Sequence, residues 1–191
     1  MTVVLLAGGQ GRRMGNADKG LELLQGRPLA GWVVQRIAPQ AGELLINANR
    51  NLDAYAAFGH RVITDRVTGF AGPLAGMHAG LSQARHDPVV FVPCDTPALP
   101  ADLVARLLAP LQDDRVDLSL ARTGRQSHPV ICALRKRLLP QLEAYLGRGG
   151  RKVDAWYATL NAVDVAFDDQ PEAFRNINTP EELQATARDP R

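Results

Sequence analysis

The sequence has little cysteine, few aromatic residues and no long apolar run. Its 191 residues include two cysteines and 5% aromatic residues, and Cys94 and Cys132 each lie within or at the end of an apolar, strand-like run. Two such cysteines give neither a disulfide framework nor metal-ligand spacing, and a buried reduced thiol is ordinary there. No run reaches the ~18 apolar residues of a membrane span, and no basic and apolar leader precedes the strand-like run at Val3. We therefore expect a cytoplasmic protein with no membrane partner.

The chain also lacks a strong charge of either sign. Its 22 Lys and Arg residues nearly balance its 20 Asp and Glu residues, for a net charge of +2, and 46% of its residues are hydrophobic. A nucleic-acid partner would therefore need a local basic patch, and none of duplex-binding character is visible. The length suffices for one sizeable core. We expect a soluble protein with one domain over residues 1–191 and no nucleic-acid partner.

What the sequence does contain is a glycine-rich basic loop after its first apolar run, residues 3–7. Four glycines within eight residues (Gly8, Gly9, Gly11 and Gly15) are accompanied by three cations (Arg12, Arg13 and Lys19). Bare backbone N–H groups with flanking cations suit a highly charged anion, most naturally a nucleoside triphosphate. A P-loop is excluded because Asn16 follows Gly15, and a dinucleotide fingerprint because Met14 stands where its third glycine belongs.

Short β-rich runs alternate with helical patterns along most of the chain. This alternation predicts an α/β fold of Rossmann-like, doubly wound type, with a mostly parallel sheet between helices. Two runs separated only by a polar turn, 117–121 and 129–134, predict an antiparallel excursion that makes the sheet mixed. The remaining predicted strands are 3–7, 43–48, 61–64, 88–92 and 161–167, and the predicted helices are 29–37, 73–83, 101–108, 138–146, 151–160 and a last one opening at Thr179.

Polar residues follow several of the predicted strands. Ligands in parallel sheets bind beyond the carboxyl ends of the strands, so these loops are expected to converge on one crevice. Asp95, set between Pro93 and Pro97, is placed to bind Mg²⁺ between phosphate oxygens, or to form an Asx turn. Asn47 and Asp65 are candidates for nucleotide contacts, or for turn caps.

A second glycine-rich stretch, residues 69–76, opens the helix predicted at 73–83. Its glycines let a flat base lie close to backbone groups, although packing of a helix start explains them as well. A second basic cluster, at Arg148, Arg151 and Lys152, is either a phosphate-binding group or solvated surface. Adjacent Ser127 and His128 do not form a nucleophile and base pair, because neighbours on a strand point to opposite faces.

Taken in order, the motifs resemble the signature of the molybdenum cofactor guanylyltransferase family of nucleotidyltransferases. The likeness is collinear from Val4 to about Leu183, and its ordered set is more specific than any one motif. The segments that carry it are Leu6-Ala7-Gly8-Gly9, Asp18-Lys19-Gly20, Gly26-Arg27-Pro28-Leu29, Asn47-Ala48-Asn49, Gly72-Pro73-Leu74-Ala75-Gly76, Pro93-Cys94-Asp95-Thr96-Pro97, His128-Pro129 and Asn176-Ile177-Asn178-Thr179-Pro180-Glu181-Glu182-Leu183.

The resemblance implies a nucleotide-diphospho-sugar transferase-like fold and a reaction that moves GMP from GTP to the terminal phosphate of molybdopterin carrying molybdenum. It implies Lys19, Arg13 and Asp95 as catalytic residues, with Asp95 also holding Mg²⁺. The implied GTP-binding residues are Leu6, Ala7, Gly8, Gly9, Gly15, Lys19, Asn47, Asp65, Gly72, Pro73, Leu74, Ala75, Gly76 and Asp95.

On the acceptor side, the resemblance directs the segment around Asn176 and Asn178 toward the pterin, with capping of the last helix as the alternative. The candidates for acceptor binding are Arg122, His128, Arg151, Lys152, Asn176 and Asn178, with Arg125 and Arg148 beside them. The implied partners are GTP, the molybdopterin cofactor, the molybdenum-insertion protein, and recipient molybdoenzymes or their chaperones.

Two other functions stay open on the sequence alone. One is the same chemistry with CTP or with a sugar-phosphate acceptor, against which the glycine loop 72–76 argues. The other is a GTP-binding cofactor carrier without catalysis, against which Lys19 and Asp95 argue, because a carrier needs neither a metal nor a cation at the α-phosphate. An acceptor phosphate is already anionic, so transfer requires alignment and charge neutralisation rather than a strong base.

Overall fold

A computed structural model describes residues 1–8, 18–67 and 72–177 of the chain, and a seven-stranded sheet forms its central layer. A two-stranded hairpin lies apart from that sheet. The strands, in chain order, are β1 (Thr2–Leu6), β2 (Leu23–Leu24), β3 (Arg27–Pro28), β4 (Glu43–Asn47), β5 (Arg61–Ile63), β6 (Val89–Pro93), β7 (Leu118–Thr123), β8 (Gln126–Leu134) and β9 (Ala162–Ala166).

The strand order in the large sheet is β5-β4-β1-β6-β8-β7-β9. The β5, β4, β1 and β6 strands are parallel, β8 is antiparallel to both β6 and β7, and β9 is parallel to β7. One reversed strand among the seven confirms the mostly parallel, mixed sheet predicted from the sequence. The β7 and β8 strands form the predicted antiparallel pair.

Helices cover both faces of this sheet. They are α1 (Leu29–Ile37), α2 (Leu52–Ala56), α3 (Pro73–Gln83), α4 (Leu103–Leu108), α5 (Leu139–Gly147) and α6 (Val153–Tyr157). Within the described residues, no helix is long and apolar enough to cross a membrane.

Successive side chains of each strand point to opposite faces of the sheet, so the core has one part on each face. On β1, Val3 and Leu5 pack with α1 and α4, whereas Val4 packs with α3, α5 and α6. Every residue of β6 is buried, as expected for a strand with helices on both sides. The doubly wound prediction is therefore confirmed, and the carboxyl ends of β1, β4 and β6 lie side by side.

The structure differs from the predicted elements in a few places. The short helix α2 and the β2–β3 hairpin were not predicted, because two to five residues show little periodicity. The β8 strand begins at Gln126 instead of 129, since its pairing with β7 extends through Thr123 past an irregularity at Leu120. The α6 helix is shorter than 151–160, and the helix predicted at Thr179 lies outside the described residues.

Candidate active site

A cavity of about 260 Å³ lies at the carboxyl ends of β1, β4 and β6, where the predicted crevice belongs. It brings together ten of the predicted GTP-binding residues, from six separate chain segments. Its lining is Leu6, Ala7, Gly8, Asp18, Lys19, Gly20, Asn47, Asp65, Gly72, Pro73, Gly76, Pro93, Cys94, Asp95 and Val130. Their binding of GTP stays a prediction.

Lys19 and Asp95, which are 76 positions apart in the sequence, form an ion pair in this cavity. Lys19 Nζ lies 2.5 Å from Asp95 Oδ2, and the two side chains are 20% and 16% exposed. Asp95 directly follows β6, and Lys19 begins a 3₁₀ turn, Lys19–Leu21, after the glycine-rich loop. The pair therefore joins the two sequence motifs singled out as catalytic, and it places a cation and an anion at the same point of the pocket.

Asp65 is tied into a network with the end of β4. Asn47 Nδ2 donates to Asp65 Oδ1 over 2.9 Å, and Asn49 Nδ2 donates to Asp65 Oδ2 over 2.7 Å. The backbone N–H of Asp65 in turn donates to Asn49 Oδ1 over 2.9 Å. Because a carboxylate has about four lone-pair sites, both oxygens of Asp65 retain acceptor capacity toward a ligand.

Gly76 has a packing reason to be glycine. A Cβ atom built there would lie 2.4 Å from Asn47 Oδ1 and 2.7 Å from Leu6 Cδ2. At Gly8 the nearest atom to such a Cβ would be Asn49 Nδ2, at 3.0 Å. The first turn of α3 therefore approaches β1 and β4 closely enough to make one wall of the cavity.

Two predicted nucleotide contacts do not line this cavity. Leu74 and Ala75 are 2% and 1% exposed, and Leu74 packs in the core with Met77 and Leu81 of the same helix. The Leu74 side chain thus faces the core, and the Ala75 side chain is buried. Any contact of Leu74 and Ala75 with GTP would therefore be made through backbone groups, as expected for this stretch, and it stays a prediction, like the contacts of Gly72, Pro73 and Gly76.

Cys94 lies in the cavity wall beside Asp95. Burial raises the pKa of its thiol to about 12, and the neighbouring Asp95 charge acts in the same direction. The thiol is therefore protonated at neutral pH and does not serve as a nucleophile.

The candidate acceptor residues fall into separate groups. His128 and Asn176 line a second cavity, of about 510 Å³, together with Thr123, Gln126, Pro171, Glu172, Phe174 and Arg175. Thr96 Oγ1 donates to Asn176 Oδ1 over 2.7 Å, and the N–H of Ile177 donates to the carbonyl of Asp95 over 2.9 Å. These bonds attach the second cavity to the end of β6.

The other acceptor candidates that the structure describes do not line that cavity. Arg122 bonds the carbonyl of Gly124 and lies 4.0 Å from Asp164, on the β7 and β9 edge. Arg151 lines a different cavity, near Val67 and Glu143, and its guanidinium donates to the carbonyls of Leu146 and Gly150. Lys152, Arg125 and Arg148 are exposed at the surface. The structure thus groups His128 with Asn176 and separates both from the basic cluster.

Several predicted site residues lie outside the described residues: Gly9, Arg13, Gly15 and Asn178. Conversely, sequence reasoning missed Asp18 as a functional candidate, although it lines the main cavity and is 7% exposed. The available signal was its position beside Lys19 in an Asp-Lys-Gly motif.

The side chains around Asp95 are compatible with one mode of Mg²⁺ binding. Among the described residues no group of three or more His, Cys, Asp or Glu side chains converges. Mg²⁺ commonly binds through one or two carboxylates, with substrate phosphates and waters completing its octahedron. Asp95 fits that mode, because among the described residues its Oδ1 has a single, long contact of 3.4 Å, with Thr96 Oγ1.

The fold and pocket together define an α/β protein with a cavity at its strand ends, in which a cation lies next to a carboxylate. A solved structure with this fold is molybdopterin-guanine dinucleotide biosynthesis protein A from Archaeoglobus fulgidus. It is 26% identical, with a TM-score of 0.81 over 98% of this chain and 97% of that one.

The chain belongs to the MobA-like NTP transferase family, whose domain it matches over residues 3–163. Its relatives include the molybdenum cofactor guanylyltransferases of Shewanella sediminis, 48% identical over 95% of this chain and 92% of the relative, and of Shewanella putrefaciens, 49% identical over 97% and 95%. The family resemblance found from the motifs is thereby confirmed, and the protein is a nucleotidyltransferase.

Proposed function

We propose that this protein transfers GMP from GTP to the terminal phosphate of molybdopterin carrying molybdenum. An oxygen of the acceptor phosphate attacks the α-phosphorus of GTP, the bond from that phosphorus to the bridging oxygen of the β-phosphate breaks, and pyrophosphate leaves. The observation that carries this proposal is the Lys19 and Asp95 pair in the strand-end cavity, supported by the names of relatives at 48% and 49% identity.

The charged residues predicted to be catalytic have distinct roles in this reaction. Lys19 neutralises charge that develops around the α-phosphate. Asp95 would hold Mg²⁺, which would supply further neutralisation of phosphate charge. Arg13, in the glycine-rich loop, supplies a further cation. The pocket residues orient GTP, so that alignment and charge neutralisation provide the rate enhancement without a protein nucleophile.

Asp65 and Asn47, which also line the cavity, favour guanine over cytosine. The N1–H and the 2-amino group of guanine are adjacent donors that match a carboxylate acceptor, and Asp65 retains acceptor capacity after its bonds with Asn47 and Asn49. Cytosine presents an acceptor at the corresponding ring nitrogen. A pocket whose polar groups stay unpaired with the wrong base loses about 1–3 kcal/mol for each such group.

The acceptor is assigned to the second cavity, which His128 and Asn176 line. Its lining includes several polar side chains, as recognition of the donors and acceptors of a pterin requires, and Asn176 is joined through Thr96 to the Asp95 end of the first cavity. Arg122, Arg151, Lys152 and Asn178 remain candidates for the acceptor's phosphate.

We place the reaction in the cytoplasm, with which the free thiols of Cys94 and Cys132 are consistent. Exchange with the molybdenum-insertion protein and with recipient molybdoenzymes or their chaperones stays a prediction.

The proposal is tested by incubating the purified protein with Mg²⁺, molybdopterin and each of the four ribonucleoside triphosphates in turn, and by measuring pyrophosphate. GTP should support release that requires molybdopterin. The same yield with CTP would favour the cytidylyl alternative. Tight GTP binding without pyrophosphate from any nucleotide would favour the carrier.

A further inference from the structure

Asp18, which precedes Lys19, is held by three donors from a single short segment. Tyr55 Oη donates to Asp18 Oδ1 over 2.6 Å, and Asn51 Nδ2 donates to Asp18 Oδ2 over 2.9 Å. Arg50 Nε lies 3.5 Å from the same Oδ2. The segment 50–55 follows directly after the end of β4, so it connects the Asp65 network to the residue beside the catalytic lysine.

A carboxylate at this place needs an explanation. Asp18 lines the cavity assigned to a triphosphate, where its charge opposes the binding of phosphate. Its oxygens are instead directed at the Tyr55 hydroxyl and the Asn51 amide, and its side chain is 7% exposed. The contacts thus describe an anchor within the protein rather than a ligand group.

The residue on the other side of Lys19 is fixed by the same tyrosine. A Cβ atom at Gly20 would lie 2.4 Å from Tyr55 Oη and 3.3 Å from Cys94 Sγ. Tyr55 is 0% exposed, so its ring offers a rigid surface. The N–H of Leu21 also donates to the carbonyl of Asp18 over 2.9 Å, which closes the turn that contains Lys19.

The backbone of the anchoring segment is itself unusual. Asn51 has a φ of 51° and a ψ of 38°, in the left-handed region, where asparagine is among the few side chains found regularly. This conformation opens α2 while the Asn51 amide reaches Asp18. Such backbone conformations are maintained where surrounding contacts determine them, as they do here.

We propose that Asp18 and Tyr55 are positioning residues that hold Lys19 in place for the α-phosphate. This inference rests on the proposed function. Tyr55 contacts both neighbours of Lys19, so its hydroxyl limits the movement of the backbone from which the lysine side chain extends toward Asp95.

The test compares Asp18→Asn and Tyr55→Phe with Tyr157→Phe as a matched control. Tyr157 is 7% exposed and its hydroxyl donates to the carbonyl of Pro129 over 2.9 Å, on the opposite face of the sheet from α1 and α4. We expect kcat to fall on the order of 10²-fold in Asp18→Asn and about tenfold in Tyr55→Phe, because a misplaced catalytic group loses most of its effect. The KM for GTP should change less than about threefold in both variants, and Tyr157→Phe should retain the parent kcat.

The kinetic constants of Asp18→Asn also distinguish the positioning role from two alternatives. If Asp18 acted only as a negative charge near the phosphates, Asp18→Asn would lower the KM for GTP and leave kcat unchanged. If it were a GTP ligand, the KM would rise with little change in kcat. Either result would overturn the positioning role.

A double-mutant cycle identifies the residue through which the anchor acts. In a Lys19→Ala background, Tyr55→Phe should have almost no further effect on kcat, whereas the same loss in both backgrounds would refute action through Lys19.

An NMR measurement tests the same role without turnover. The ¹³Cε NMR signal of Lys19 should shift or broaden in Asp18→Asn and Tyr55→Phe and stay unchanged in Tyr157→Phe. An unchanged signal in all three would contradict the inference, while inactivity of the parent protein with GTP and molybdopterin would instead refute the proposed function.

Discussion

Asn47 Nδ2 donates a hydrogen bond of 2.9 Å to Asp65 Oδ1, and this bond joins the residue that ends β4 to the loop that follows β5. Asn47 is 2% exposed, so its amide is fixed by the surrounding core. The bond orients the Asp65 carboxylate at the cavity assigned to GTP. Base recognition in this account therefore depends on a buried amide as well as on the acid itself.

Asp65→Asn should weaken GTP binding about tenfold, equivalent to about 1.4 kcal/mol, as measured by calorimetry. The amide keeps the shape of the carboxylate but places N–H groups against the donors of Asn47 or Asn49, which twists the side chain or leaves donors unpaired. Asp53→Asn, at an exposed carboxylate on α2, is the control and should bind GTP as the parent does. Parental GTP affinity in Asp65→Asn would limit Asp65 to a turn cap.

Gly76→Ala should lower both stability and GTP affinity. The new Cβ would fall 2.4 Å from Asn47 Oδ1, so either α3 or the Asn47 amide must shift, at a cost of about 1–3 kcal/mol in the free energy of unfolding. Gly147→Ala is the matched control, since nothing lies within 4 Å of a Cβ there. Denaturant unfolding and GTP titration of both variants check the prediction, and equal behaviour of the two would show that α3 does not constrain Asn47.

His128 should make the protein less stable to heat as the pH falls below neutral. Burial lowers the pKa of His128, so the folded state favours neutral imidazole, which shares a 2.8 Å hydrogen bond with Thr123 Oγ1. The stability that His128 contributes is fully present above the pKa of about 6.5 that histidine has in the unfolded chain. It is lost as the pH falls through the lower pKa of His128 in the folded protein. The melting temperature of the parent should thus fall more between pH 7.5 and pH 5, roughly the range that spans this titration, than that of His128→Gln. Parallel melting curves across that range would show that the buried imidazole is not the titrating group.

Asn176→Ala should weaken acceptor binding and leave the Kd for GTP nearly unchanged. The substitution removes the acceptor of the Thr96 hydroxyl and one wall of the second cavity, but it leaves Lys19 and Asp95 in place. Separate titrations with GTP and with molybdopterin measure the two affinities. Comparable losses for both ligands would mean that the cavities act as one site.

The strand ends were the most predictable part of this protein. Hydrophobic runs followed by Asn47, Asp65 and Asp95 place those side chains at one edge of a parallel sheet, and the structure brings all three to one cavity. Sequence could not show that the side chains of Leu74 and Ala75 are buried, because a motif does not show which side of a helix faces the core. It also could not find the anchor of Asp18, whose partner Tyr55 is 37 positions away on a helix of five residues. The single domain over 1–191 stays a prediction.

The candidate acceptor residues are not grouped in the structure as they are in the sequence. Arg151 and Lys152 form a basic cluster in sequence, yet the structure directs the Arg151 guanidinium to local carbonyl groups. His128 and Asn176 are 48 positions apart and share a cavity because the end of β6 holds the segment around Ile177 through a backbone hydrogen bond. Contacts of that kind follow from tertiary packing and leave no local pattern.

The central claim is that the Lys19 and Asp95 pair is the centre of GMP transfer, and Asp95→Asn tests it most directly. With GTP labelled in its α-phosphate, Mg²⁺ and molybdopterin, the parent should move the label into the guanine dinucleotide product. Asp95→Asn should do so on the order of 10²-fold more slowly, with a free energy of unfolding within about 1 kcal/mol of the parent, because the amide keeps the turn and removes the charge that holds Mg²⁺. Label transfer at a near-parental rate in the folded Asp95→Asn variant would contradict the account and would direct attention to Asp65.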